Sequence, residues 1–195
     1  MRILMAGTLV LAALLSSSGS SSAQNTSKGM QMPAMTAQHR QLAALAGDWV
    51  ITGQTHKGCP YGEGKFTARE HSELMKGGMF LVSRTQYSSL FKNSNQIAVV
   101  GVDSATKQYT YAMYSNTGVT VQATGAVRNT DKASLVGNAI QWTSKTNADM
   151  AAGQEMVYTT EMLSPNRYKF RLVVGGGAWY DGIANRVNPV VNPAR

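Results

Sequence analysis

A single cysteine, Cys59, stands in a chain of 195 residues, so no internal disulfide forms. In an exported protein an odd cysteine is either a buried thiol or a reactive one. The setting His56-Lys57-Gly58-Cys59-Pro60 offers nearby cations that lower a thiol pKa; a small buried hydrophobe fits the same residue. Histidine is also scarce, with three copies at positions 39, 56 and 71. There is no His-x-x-x-His pair, Cys-x-x-Cys pair, nucleophile elbow or phosphate-binding loop. Gly175-Gly176-Gly177 has no Lys-Ser/Thr after it and reads as a hairpin turn. No apolar run reaches the ~20 residues that span a bilayer core. Basic residues outnumber acidic ones, 18 to 10, for a net charge of +8, yet they are scattered. That excludes a basic arm or a nucleic-acid module and leaves solubility and weak attraction to anionic surfaces.

What is present begins with a processing signal. Met1-Arg2 precedes an apolar run from Ile3 to Leu15, broken by Gly7 and Thr8, and a small-residue tract ends at Ser21-Ser22-Ala23. This is the n-region, h-region and cleavage pattern of a signal peptide over residues 1–23. No cysteine follows it to carry a lipid, so export to the periplasm or outside is expected, with no transmembrane segment left after cleavage. Losing Arg2 leaves 17 basic against 10 acidic residues, or +7. Residues 24–35 read as a flexible leader, and residues 36–195 as one domain. Thr36 is placed to cap a helix from Ala37 to Ala46, with Leu42 and Leu45 on one face and Gly47 as its stop. About ten residues form a marginal helix alone, so it must dock.

Beyond Gly47 the chain alternates in strand rhythm. The expected strands are Trp49 to His56, Gly64 to Met75, Met79 to Phe91, Asn95 to Val102, Gln108 to Ser115, Val119 to Asn129, Ser134 to Lys145, Gln154 to Leu163, Arg167 to Val174, and a weaker one near Ala178 to Ile183. Turn signals such as Lys76-Gly77-Gly78 and Asn116-Thr117-Gly118 separate them. In Arg167 to Val174, the residues Tyr168, Phe170, Leu172 and Val174 share one face, and Arg167, Lys169 and Arg171 the other. One wet and one dry face belong to a single antiparallel sheet. Nine or ten such strands leave exposed edges unless the sheet closes. The expectation is therefore an all-β, up-and-down barrel of about nine to ten strands with a short N-terminal helix. A two-sheet sandwich shares this periodicity.

Gly47-Asp48-Trp49 after a short helix resembles the Gly-x-Trp of lipocalins and their calycin relatives. The run Leu74-Met75-Lys76-Gly77-Gly78-Met79-Phe80-Leu81 is similar to the Leu-x-Gly-Gly-Arg-Phe-Leu hairpin of a bacterial lipocalin-like family. Val100-Gly101-Val102-Asp103-Ser104-Ala105-Thr106-Lys107-Gln108-Tyr109 resembles its Gly-Tyr-Asp-x-x-Thr-Lys-Lys-Tyr turn, and Ser115-Asn116-Thr117-Gly118 its Asp-Ser-Met-Gly. This family is domain-of-unknown-function family fifteen seventy-nine, and the resemblance covers roughly residues 42–174. It implies a barrel with Trp49 packed at the closed end beside the helix, and structural roles for Gly47, Gly77 and Gly78. After Gly177 the chain departs from the pattern. The closing strand looks short, and Asn188-Pro189-Val190-Val191-Asn192-Pro193 cannot pair normally.

Several residue groups invite chemistry. His71 and Glu73 share a strand face, opposite Glu70, and form an acid–base candidate if buried or a solvated pair if exposed. Met30, Met32, Met35 and His39 are soft ligands suited to Cu(I), or part of a plain leader. Arg167, Lys169 and Arg171 could grip an anion or simply face water. None of the three histidines falls in a later strand, where haem-binding calycin relatives carry their ligand. The reading that results is an exported, non-catalytic barrel without a cofactor that binds a small apolar or amphipathic ligand, as the fold's relatives imply. Its alternatives are a small enzyme, a copper binder or a purely structural interaction module. The expected lining is Phe80, Val82, Tyr109, Tyr111, Met113, Tyr158 and Phe170. The exported protein should begin at Gln24; N-terminal sequencing that finds residues 1–23 retained would refute the cleavage reading.

Overall fold

The structure, a computed structural model, describes residues 34–88, 91, 94–127, 135–145 and 153–188. The expected signal peptide, the leader through residue 33 with Met30 and Met32, and the proline-containing tail from 189 lie outside the described residues. Helix α1 (Ala37–Ala43) is followed by ten strands: β1 (Gly47–Thr55), β2 (Gly64–Leu74), β3 (Leu81–Ser88), β4 (Asn95–Val102), β5 (Tyr109–Ser115), β6 (Thr120–Val127), β7 (Asn138–Lys145), β8 (Glu155–Ser164), β9 (Arg167–Val174) and β10 (Gly177–Arg186). Each strand pairs antiparallel with the next. β1 then pairs with β10 from Trp49↔Arg186 to Thr55↔Tyr180, and the sheet closes into a barrel. This excludes the two-sheet sandwich.

The closing strand is where the sequence reading falls shortest. β10 is ten residues long, not a weak segment ending at Ile183. Two glycines sit opposite each other across the seam, Gly53↔Gly182. The rings of their cross-strand partners Phe66 and Phe170 occupy the space where Cβ atoms would stand. A glycine covered by a neighbouring aromatic lets a sheet curve sharply without leaving a void. The seam thus carries glycines, which weaken a strand by propensity alone, and the ring packing makes them tight.

The end of the barrel next to α1 is clamped. Helix α1 starts at a capping box in which the Thr36 hydroxyl accepts from the His39 N–H and the Thr36 N–H donates to the His39 ring. The helix ends at Ala43 rather than Ala46, because Ala44, Leu45 and Ala46 turn into tighter i→i+3 bonds. That turn frees their carbonyls. Leu45 accepts from Trp49 Nε1 at 3.0 Å, and Ala44 and Ala46 accept from the Arg186 guanidinium. Arg186 also donates to Pro165 at 3.1 Å, and its guanidinium lies 4.1 Å from the Trp49 ring centroid. Trp49 meets Tyr168 edge-to-face at 4.8 Å and is 1% exposed beside Leu42 at 0%. Gly47 is not a helix stop. It opens β1 at φ +133°, and the guanidinium of Arg186 fills the place of its missing Cβ. Gly77 and Gly78 both take positive φ in the β2–β3 turn.

Trp49→Ala should cost roughly 3–5 kcal/mol, the range for large aromatic truncations in cores. Arg186→Ala should cost about 1.5–3 kcal/mol, as hydrogen bonds to charged groups do. Arg186→Lys should recover less than half of that, since one ammonium cannot span carbonyls on three sides of a planar fork. Denaturant titration checks all three; full rescue by Lys would show that charge alone is what Arg186 supplies.

Candidate functional site

The even-numbered residues of β2 and the odd-numbered residues of β3 and β5 point into the barrel, and they divide the interior in two. Toward the far end Phe66 packs against Phe91 at 4.8 Å; near α1 the interior is filled by Trp49, Tyr109, Trp142, Tyr168 and Phe170, each at most 6% exposed. Tyr109 is anchored there by donating to Gln41 of the helix, and its phenol is pushed up to about 12 by burial. Trp142 fits because Gly125, directly opposite on β6, has no side chain to meet its ring.

Above this floor lies a cavity of about 190 Å3. Its walls include Leu81, Ala98, Val100, Met113, Val121, Ala123, Met156 and Leu172, with Tyr87, Tyr111, Tyr158, Tyr180, Trp142 and Trp179 as the aromatic surface. It reaches toward the barrel end remote from α1, where Tyr61, Phe91, Ser94, Gln96 and Val119 line it. The wall is thinnest between β6 and β7, which pair only over Thr124↔Thr143 to Val127↔Ile140. Beyond that the Ser144 hydroxyl donates to the Gln122 carbonyl, and both residues line the cavity.

One carboxyl faces this cavity, that of Glu70. Ser72 donates to its Oε1 at 2.9 Å, Thr85 to its Oε2 at 3.1 Å and Tyr168 to its Oε1 at 3.3 Å. Ser83 lies 2.7 Å from Ser72 and extends the chain of hydroxyls. Burial pushes the Glu70 carboxyl above the usual carboxylate value, and the three hydroxyl donors pull it back only in part. The phenols of Tyr87, Tyr111, Tyr158 and Tyr180 are all raised by burial and so stay neutral. Among the described residues these four hydroxyls have no protein hydrogen-bond partner.

Of the seven residues expected to line the interior, Tyr111, Met113 and Tyr158 do so. Tyr109 and Phe170 point inward but form part of the packed floor. Phe80 and Val82 do not reach the cavity. Phe80 is 44% exposed and covers Gly101 on the outer wall, and Val82 lies on the same outer face opposite Glu73. The reason is an inverted pattern: on β3 the inward residues are Leu81, Ser83, Thr85 and Tyr87, two of them hydroxyls that serve Glu70. Choosing the more apolar face therefore picks the wrong one.

The other candidate groups fall outside the cavity. His71 and Glu73 are each 53% exposed on the outer wall; His71 bonds Asp48 at 2.7 Å and Glu73 bonds Arg84 at 2.7 Å. His39 is buried with its ring committed to the helix cap, and burial lowers its pKa. Met35 packs against Gly78. His56 pairs with Asp181 at 2.7 Å. Cys59 is buried near the mouth, and burial pushes its thiol up, the opposite of an activated nucleophile. Arg167, Lys169 and Arg171 are exposed on β9, with Lys169 on Glu161 at 2.8 Å. Alternation sets Glu70 opposite His71 and Glu73, and that face is the inward one. The signal was its phase with Phe66 and Ala68, a lone acid on an apolar face.

Fold and site together define a closed ten-stranded antiparallel β-barrel with an apolar-walled cavity that Glu70 faces. The chain belongs to the family of proteins of unknown function DUF1579, which it matches over residues 34–181. No curated protein matches it. Among solved structures it is similar to a de novo designed fluorescence-activating β-barrel, at 13% identity and a TM-score of 0.41, covering 78% of this chain and 99% of the design. A redesigned β-barrel gives 12% identity and a TM-score of 0.33, covering 76% of this chain and 96% of the other.

The raised Glu70 pKa has a signed consequence for stability. The unfolded chain loses this proton near the ordinary value of 4.5, while the fold retains it to higher pH. The folded state then binds more protons, so this group's contribution falls as pH rises from 4.5 through its folded pKa. Glu70→Gln should flatten that slope and stabilise the protein most on the alkaline side. Denaturant titrations across pH 4–8 test this; identical slopes for wild type and Glu70→Gln would show that Glu70 is solvated.

Proposed function

We propose that this protein is an exported binding protein whose barrel holds one small amphipathic molecule. The observation that carries the reading is the cavity itself, apolar along its walls with a carboxyl and several unpartnered phenols directed inward. Apolar surface with a few convergent polar groups is the usual make-up of a ligand pocket. Its size limits the guest. An apolar cavity of ~150 Å3 holds benzene, so about 190 Å3 suits one or two rings or an equivalent branched chain. The segment Met1 to Ala23 supports export by its charge and apolar pattern.

Small neutral aromatics, from toluene to naphthalene, should bind saturably and perturb the fluorescence of Trp142 and Trp179. For ligands of ~10 heavy atoms the dissociation constant should lie roughly between micromolar and millimolar. Tyr111→Ala should change that affinity, and Val82→Ala on the outer wall should not. Absence of saturable binding across the series would leave the barrel as a structural module.

A further inference from the structure

The cavity contains an acidic group and, among the described residues, no cation beside it. Among the described residues that line it, Glu70 is the one charged side chain, with no Lys, Arg or His. Arg186, which lies over the Trp49 ring, is spent on carbonyls at the closed end. Arg69 and His71, beside Glu70 on β2, lie on the outer face. The groups that face Glu70 from other elements are uncharged: Thr85 and Tyr87 from β3, Tyr111 from β5, Tyr168 from β9. Every hydrogen bond it makes is one in which a hydroxyl donates to it, with Ser83 placed to donate on to Ser72. Hydroxyls can all turn their hydrogens toward an ionised carboxylate, which only accepts. Three of its roughly four lone-pair sites are taken, and Glu70 is one of the residues that line the cavity.

Around it stand aromatic rings. Tyr168 donates to Glu70 at 3.3 Å, and Tyr87 and Tyr111 line the same cavity. Tyr111 continues to Trp142 at 5.4 Å between ring centroids, and Tyr87 to Phe91 at 4.9 Å. Ring faces are negative and attract cations, most strongly where water is excluded. An anionic guest would instead set two carboxylates side by side, which neither tolerates in the ionised form. The net charge of +8 repels a cation at long range, but beyond about 8 Å that field is screened at physiological salt. Selection therefore rests with the groups inside.

We propose that the cavity takes a small free organic cation, a substituted ammonium on a compact apolar body, with Glu70 as its counter-ion and the tyrosine rings as its cage. This rests on the reading that the cavity binds a ligand, and it adds the charge of that ligand. Empty, the site holds Glu70 toward its protonated form. A cation stabilises the ionised form, so binding should release a proton from Glu70 and strengthen as pH rises.

Three probes of one shape separate the possibilities: choline, the neutral 3,3-dimethyl-1-butanol and the anionic 3,3-dimethylbutanoate. Calorimetry on the wild-type protein should find choline at least tenfold tighter than the alcohol, and no binding of the anion. Because a quaternary nitrogen does not titrate, the choline affinity should rise with pH. Heats measured in buffers of different ionisation enthalpy should report proton release. Glu70→Gln should bring choline down to the level of the alcohol. Should that variant fail to fold, the wild-type comparison and its proton release decide alone. If the alcohol or the anion binds as tightly as choline, the cation assignment is overturned while ligand binding stands. If none of the three binds, and the neutral aromatics fail as well, both readings fall.

Discussion

The pairing of the first strand with the last is the constraint on which everything else depends. An antiparallel sheet of ten strands with one apolar face has two unpaired edges and nothing to cover its dry side. Pairing Trp49 through Thr55 with Tyr180 through Arg186 removes both problems at once, because the dry face becomes an interior. Side chains reinforce this ladder at both ends, His56 on Asp181 at one and Arg186 at the other. Arg186 reaches from the last strand to the carbonyls that follow α1 and stacks on the first Trp of the first strand. Helix, first strand and last strand are thereby joined through one side chain, and a helix of seven residues, too short to stand alone, becomes a plug.

Closure leaves the interior to be filled, and the chain fills it unevenly. Large rings lie directly against the backbone at glycines 53, 125 and 182. Between the rings the inward residues include Ala98, Ala123, Val121 and Ser83, and space remains. Protein interiors pack to the density of organic crystals. A void with a hydroxyl-bonded carboxyl in it is therefore a feature the sequence maintains against the cost of both the cavity and the buried acid.

Much of this was legible in the chain. The alternation in Arg167 to Val174 and Val119 to Val127 gave strands with one dry face. The Gly-rich turns gave their order, and the edge argument gave closure. Trp49 next to a short helix, together with the turn motifs around Gly77 and Asp103, pointed to the family. The interior was read less well, because the reading took inward to mean apolar. That holds for Tyr111, Met113 and Tyr158. It fails on β3, where Ser83 and Thr85 turn inward to bond an acid and Phe80 and Val82 are left outside. It also missed Arg186, since a strand interrupted by Gly182 and carrying Asp181 scores poorly as a strand by itself.

The sequence alone determined that the chain makes strands, where they turn, and that each has two unlike faces, because side-chain period and turn chemistry are local properties. Only the tertiary structure decided which face of β3 is the inner one, that Glu70 meets Ser72, Thr85 and Tyr168, and that Arg186 meets Trp49 and the carbonyls after α1. Those contacts join residues as far as 142 positions apart. Their existence depends on strand register and on closure of the sheet, which no local stretch of the chain encodes.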